Sequence, residues 1–148
     1  MKRVLPLAAA LALASCATLT VSMPNAPSAP PSIPAGPLDF GGNWQRDAAA
    51  AVLTHFEQNV SSRYGAGLDL AAAAVDLRQN QFTCVANTDT TNRGHPPAQI
   101  CRKTQVAGEC THTWQVHLFT APDNDRLERA RGLYDRRCAG EALLGGPG

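Results

Sequence analysis

Five cysteines (Cys16, Cys84, Cys101, Cys110 and Cys138) and four histidines (His55, His95, His112 and His117) are the side chains of this 148-residue chain best suited to thiol, metal or proton-transfer chemistry. A structural zinc site draws on close cysteine pairs, about two to four residues apart, because a short loop fixes two ligand directions at once. No cysteine pair here is that close. His112 and His117 are five apart, which on a strand sends them to opposite faces. His55 lies beside the apolar stripe of a predicted helix, and His95 stands in a loop next to Pro96 and Pro97. All four read as structural or solvated, and neither a metal nor a cofactor is expected. Nucleophilic catalysis finds no G-x-S-x-G. Ser61 and Ser62 close a helix, and a thiol nucleophile would require one of four cysteines to stay unpaired. Asp135, Glu109 and Glu141 are carboxylates with nothing to pair them in an apolar setting, as glycosidase chemistry requires. There is no Gly-rich phosphate loop, so the residues give no support for an enzyme.

The remaining chemistry is charge. Arg126, Arg129, Arg131, Arg136 and Arg137 fall within twelve residues, and on a strand Arg129, Arg131 and Arg137 share the outward face. Such a strip can dock an anionic partner, either a phosphate-bearing lipid headgroup or an acidic protein surface. The reading preferred from sequence is plainer: a solvated face balanced by Asp123, Asp125, Glu128 and Asp135, whose charges also blunt an edge strand. Over the whole chain 13 basic residues meet 12 acidic ones, too even a balance for nucleic-acid binding.

The elements that must position these residues begin after an N-terminal address. Met1-Lys2-Arg3 is a short basic start, Val4 to Ala14 is an eleven-residue apolar stretch, and Leu13-Ala14-Ser15-Cys16 closes it with small residues before a cysteine. The stretch is too short for a permanent membrane span. The pattern resembles the signal peptide of bacterial lipoproteins, with Pro6 as its one departure. That resemblance implies cleavage between Ser15 and Cys16 and an acyl anchor, of the palmitate kind, on Cys16. An ordinary secretory signal cut after Ala14 also fits Ala12-Leu13-Ala14, but five cysteines in an exported chain would leave one free thiol. Lipidation of Cys16 removes the odd one. Loss of Lys2 and Arg3 with the leader takes the formal charge from +1 to −1, so attachment rests on lipid and not on a basic patch. Ala17 differs from the Asp that resembles an inner-membrane retention signal, which favours the outer membrane, with the domain facing the periplasm.

From Ala17 to Pro37 the chain has no charged side chain and places six prolines in the fourteen residues from Pro24. Proline at that density prevents helices and sheet ladders and favours an extended spacer of about 3.1 Å per residue. The expected organisation is a leader over 1–15, a lipidated cysteine and Pro/Ala-rich tether over 16–42, a small domain over 43–142, and a flexible tail over 143–148.

Within the domain, Ala48, Val52, Phe56 and Val60 predict a helix from about Trp44 to Ser62, capped by Asn43 or Asp47. Tyr64-Gly65-Ala66-Gly67 ends it, and Asp69 caps a second helix whose stripe is Leu70, Ala73, Ala74 and Leu77, running to about Gln79. Phe82 to Val85, Ile100 to Val106 and Cys110 to Thr120 read as strands, the first two joined by a loop that turns near Asn92-Arg93-Gly94. Leu127 to Cys138 fits either a helix or a strand by spacing. Register decides for a strand: a turn centred at Asn124 sets Trp114 opposite Tyr134, Val116 opposite Gly132 and Leu118 opposite Ala130, so that large residues meet small ones. A helix would carry Gly132 mid-run, costing about 1 kcal/mol against Ala. The same register sets Cys110 opposite Cys138. Of the three pairings open to four cysteines this leaves Cys84 with Cys101. With two Trp, two Tyr and four Phe, the core is small, and two disulfides at about 2 to 4 kcal/mol each would be a large share of its stability.

The predicted class is α+β: two N-terminal helices packed on a disulfide-stapled antiparallel sheet of three or four strands. Together with a lipidated Cys16 and a tether, this architecture resembles the small outer-membrane assembly lipoproteins of the BamE or SmpA/OmlA type, and is similar to the helix-pair-on-sheet repeat of beta-lactamase inhibitor proteins. Phe82-x-Cys84 is the only local feature that goes with it, and no functional residue is carried over. The function expected is a non-enzymatic envelope lipoprotein that binds another protein or stabilises an assembly. The alternatives are a periplasmic inhibitor or ligand-binding module using the outer sheet face and, third, an enzyme.

Overall fold

The computed structural model describes residues 31–88 and 94–140. Cys16, the leader, most of the expected tether, Asn92 and Arg93 of the expected turn, Glu141 and the tail at 143–148 lie outside the described residues. Two helices, α1 (Ala49–Arg63) and α2 (Leu70–Gln79), precede four strands: β1 (Thr83–Ala86), β2 (Gln99–Ala107), β3 (Cys110–Thr120) and β4 (Leu127–Cys138). The strands form one antiparallel meander in the order β1-β2-β3-β4, with both helices on one face. The chain is therefore α+β, as its periodicities predict. Among the described residues no helix is long and apolar enough to cross a membrane.

The last strand pair has the expected register: Trp114 opposes Tyr134, Val116 opposes Gly132, Leu118 opposes Ala130, and Cys110 opposes Cys138. Both expected disulfides form, Cys84–Cys101 and Cys110–Cys138, each between direct neighbours on adjacent strands. Gly132 has a second reason to be glycine besides its large cross-strand neighbour. A Cβ there would sit 3.0 Å from the Glu57 Cα and 3.0 Å from the Phe56 ring, because α1 crosses β4 at this point.

Two expectations are corrected. Helix α1 starts at Ala49 instead of Trp44, and its N-cap, Ala48, makes no side-chain cap. The residues before it form a turn closed by Asn43, whose carbonyl accepts from the Arg46 and Asp47 amides. That turn frees Trp44 to pack edge-on against Trp114, with centroids 5.0 Å apart. The second correction concerns the domain's start. Leu38 is buried, Ile33 and Phe40 pack against the core, and Trp114 Nε1 donates to the Phe40 carbonyl at 3.1 Å. The packed unit thus begins near Ile33, ahead of the expected boundary at 43. Proline excludes ladders; it does not prevent burial of the apolar residues between prolines.

This N-terminal strap is held by a polar cluster on the helix side. Arg63 donates through Nε and Nη2 to the two Asp76 oxygens at 2.8 and 2.9 Å, and through Nη2 to the Gly36 carbonyl at 2.7 Å. Tyr64 donates its hydroxyl to Asp76 at 2.6 Å, while the Leu38 amide donates to Asn80 Oδ1 at 2.7 Å. Burial pushes the Asp76 carboxyl up, but the Arg63 and Tyr64 hydrogen bonds outweigh it and hold the group below its ordinary value. Burial and the same bond to Asp76 push the Tyr64 phenol up. Every strong partner here is internal, so the cluster is a fastening between α1, α2 and the strap.

Candidate functional site

The candidate site is the face of the sheet opposite the helices. Side chains alternate along a strand, so the register assigns each residue to a face. Cys101, Trp114, Val116 and Leu118 point to the helices and are fully buried. The outward set between them forms rows across the strands: Val85, Ile100, His117 and Arg131 in one, then Thr83, Arg102, Gln115 and Leu133 in the next. Beyond these come Thr104, Thr113 and Asp135, and finally Val106, Thr111 and Arg137. No described element covers this face. Val85 is 58% and Val106 70% exposed.

Two open grooves score it. One, of about 550 Å³, is lined by Thr83, Val85, Ile100, Arg102 and Thr104. Its neighbour, of about 340 Å³, is lined by Arg102, Thr111, Thr113, Gln115, Asp135 and Arg137. Arg102 lines both.

The three arginines singled out from sequence all lie on this outward face, but they are not equivalent. Arg129 stacks over the Phe119 ring, its guanidinium carbon 3.8 Å from the centroid, and Arg137 donates to Asp135 at 3.0 Å. Arg131 stands beside His117 with no salt-bridge partner among the described residues. Arg126 and Arg136 turn elsewhere, donating to the Gly67 and Asp47 carbonyls. Arg102 was missed by sequence reasoning, which looked for a run of arginines. Its signal was period two: once Cys101 faces the helices, Ile100 and Arg102 must face out. Among the described residues its guanidinium makes one hydrogen bond, a long one of 3.4 Å to Gln115.

The histidines separate as predicted. His112 is buried against Trp44 and Trp114, with Nδ1 2.7 Å from the Tyr134 hydroxyl; burial and then the charge of Arg136 hold it below its ordinary pKa. His117 faces out, its Nε2 buried with no hydrogen-bond partner among the described residues. Burial, then Arg131 and Arg102, lower its pKa. His55 is exposed on α1, and His95 contacts the Thr120 carbonyl and Glu128. Among the described residues no group of three or more His, Cys, Asp or Glu side chains is placed to hold a metal ion. The four cysteines of the sheet are committed to disulfides. What the face offers chemically is recognition: fixed positive charge, hydroxyls and apolar side chains on a rigid ladder. The chain matches no protein-family model, no curated protein and no solved structure.

Proposed function

We propose that this chain is an outer-membrane lipoprotein, anchored through an acyl group on Cys16, that acts by binding another envelope protein and performs no catalysis. One observation carries the binding reading: among the described residues no helix or strand covers the outer face of a four-stranded sheet stapled by two disulfides, and that face bears Arg102, Arg129, Arg131 and Arg137 together with the exposed Val85 and Val106. Exposed apolar side chains set among arginines are what partner-binding surfaces present.

Capture of partners with the intact lipoprotein tests this directly. An outer-membrane complex is the expected result; a soluble periplasmic hydrolase would instead support an inhibitor, and recovery of no protein would refute the binding reading. The anchor has its own test. Cys16→Ala is expected to move the chain from the membrane to the soluble fraction, and retention in the membrane would overturn lipid attachment.

A further inference from the structure

Backbone geometry first limits what can lie on the open face. The backbone groups of β2 and β3 are engaged in the ladders on either side, so the face offers a partner only side chains. An extended segment laid across it would leave its own N–H and C=O groups to water, whereas a helix arrives with them satisfied internally. The four strands span roughly 15 Å at about 4.8 Å per interval, the length of about ten helical residues.

Charge narrows the choice further. Of the outward guanidiniums, Arg137 is paired with Asp135 and Arg129 is engaged on Phe119. Arg102 and Arg131 have no carboxylate partner among the described residues, and they flank His117, in adjacent rows of the sheet. Beside them lie Val85 and Ile100 in the 550 Å³ groove. A bilayer surface is flat on this scale and leaves such a groove empty; a ridge of side chains fills it.

We propose that the open face seats an acidic amphipathic helix of a partner protein, its carboxylates over Arg102 and Arg131 and its apolar side chains over Val85 and Ile100. This rests on the protein-binding reading above and adds the chemistry of the partner. Near neutral pH the uncharged His117 leaves the two guanidiniums as the anion-attracting pair. Asp135 and Arg137, paired with each other, and Arg129, over Phe119, are further charged groups on this face, and at its Phe119 end Glu128 pairs with His95.

The test is a titration of the complete chain carrying Cys16→Ala with a synthetic helical peptide of alternating Leu and Glu at i, i+4 spacing, followed by peptide fluorescence anisotropy and by amide NMR shifts. Saturable binding is expected, with shifts confined to the rows around Ile100, Arg102, His117 and Arg131, and a loss of about tenfold or more in Arg102→Glu/Arg131→Glu. Replacing the peptide's Glu by Gln should weaken binding of the unaltered face to a similar degree, a comparison that holds even if the double variant folds poorly. Equal affinity for the Gln peptide, shifts on the helix side, or binding to phosphatidylglycerol vesicles in place of the peptide would each overturn the proposal. If the intact lipoprotein captures a protein partner and the double variant captures it equally well, the acidic-helix site fails while the protein-binding reading stands.

Discussion

Along β3 the two faces of the sheet alternate residue by residue and yet present different surfaces. Trp114, Val116 and Leu118 are fully buried beneath α1, α2 and the strap, whereas Thr113, Gln115 and His117 between them are half-buried on the opposite face. The polar groups on the two sides differ in the same way. Asp76 on the helix side has Arg63, Tyr64 and Asn80 around it, while Arg131 on the open side forms no salt bridge among the described residues. From Thr111 to Leu118 this strand therefore buries its even-numbered residues and turns its odd-numbered ones outward; the alternation ends at Phe119, which is buried under Arg129 and beside His95. Substitutions on the two faces should separate by readout.

The largest effect is expected from Trp114→Ala. Trp114 is fully buried, touches Phe40, Trp44 and Tyr134, and fixes the strap through its indole N–H. Its loss should cost about 3 to 5 kcal/mol, read as a lower denaturation midpoint at constant slope. A cost under about 1 kcal/mol would mean that the helix side is not the core.

Much of this division was legible in the sequence. Alternation from Thr111 to Leu118 and the Trp114–Tyr134 register fixed β3, β4 and both disulfides, because a one-residue slip would have put Trp114 in water and parted Cys110 from Cys138. The helix pair was readable from apolar spacing, and Asp69 from its cap, which accepts the Ala72 amide at 3.0 Å. The start of α1 was not. Trp44 has helical spacing to Ala48, but the energy of its ring against Trp114 and His112 is tertiary and leaves no local trace. The burial of Leu38 was hidden for a similar reason: the proline content around it speaks only to backbone geometry. Arg102 escaped because period two marks a face, while a search for charge clusters counts neighbours in sequence.

An intermediate effect tests where the helix layer closes on the sheet. Gly132→Ala would place a methyl against the Glu57 backbone as well as the Phe56 ring, and backbone cannot swing aside. A destabilisation of about 1 to 3 kcal/mol is expected, with α1 shifted off β4. An unchanged midpoint would show that the helix can ride outward freely, and the contrast between a clamped and an open face would weaken.

Acid should act in the same direction through two groups of the helix side. The folded-state pKa of His112 is depressed by burial and Arg136, so as pH falls below about 6.5 the unfolded chain takes up a proton that the folded chain resists. Stability is then present above that value and declines beneath it. Asp76, also held low, adds a second decline as pH falls below about 4, where the unfolded carboxyl protonates first. Thermal midpoints measured from pH 8 to pH 3 should fall in these two stages, with His112→Gln flattening the first. His117 on the open face is depressed as well and contributes in the same window, so His117→Gln reports its share separately.

The smallest effect on stability, and the most informative for recognition, is expected from Arg102→Ala and Arg131→Ala. Both side chains are exposed, and neither forms a salt bridge among the described residues. Surface changes of this kind leave the midpoint within about 0.5 kcal/mol. If the open face is a docking surface, the same substitutions weaken partner capture while thermal unfolding stays put, and the weakening shrinks with added salt because screening already diminishes the arginines' attraction. A change in stability as large as that of Gly132→Ala would place these arginines in the scaffold instead, since a residue whose removal unfolds the sheet cannot be held in reserve for a partner.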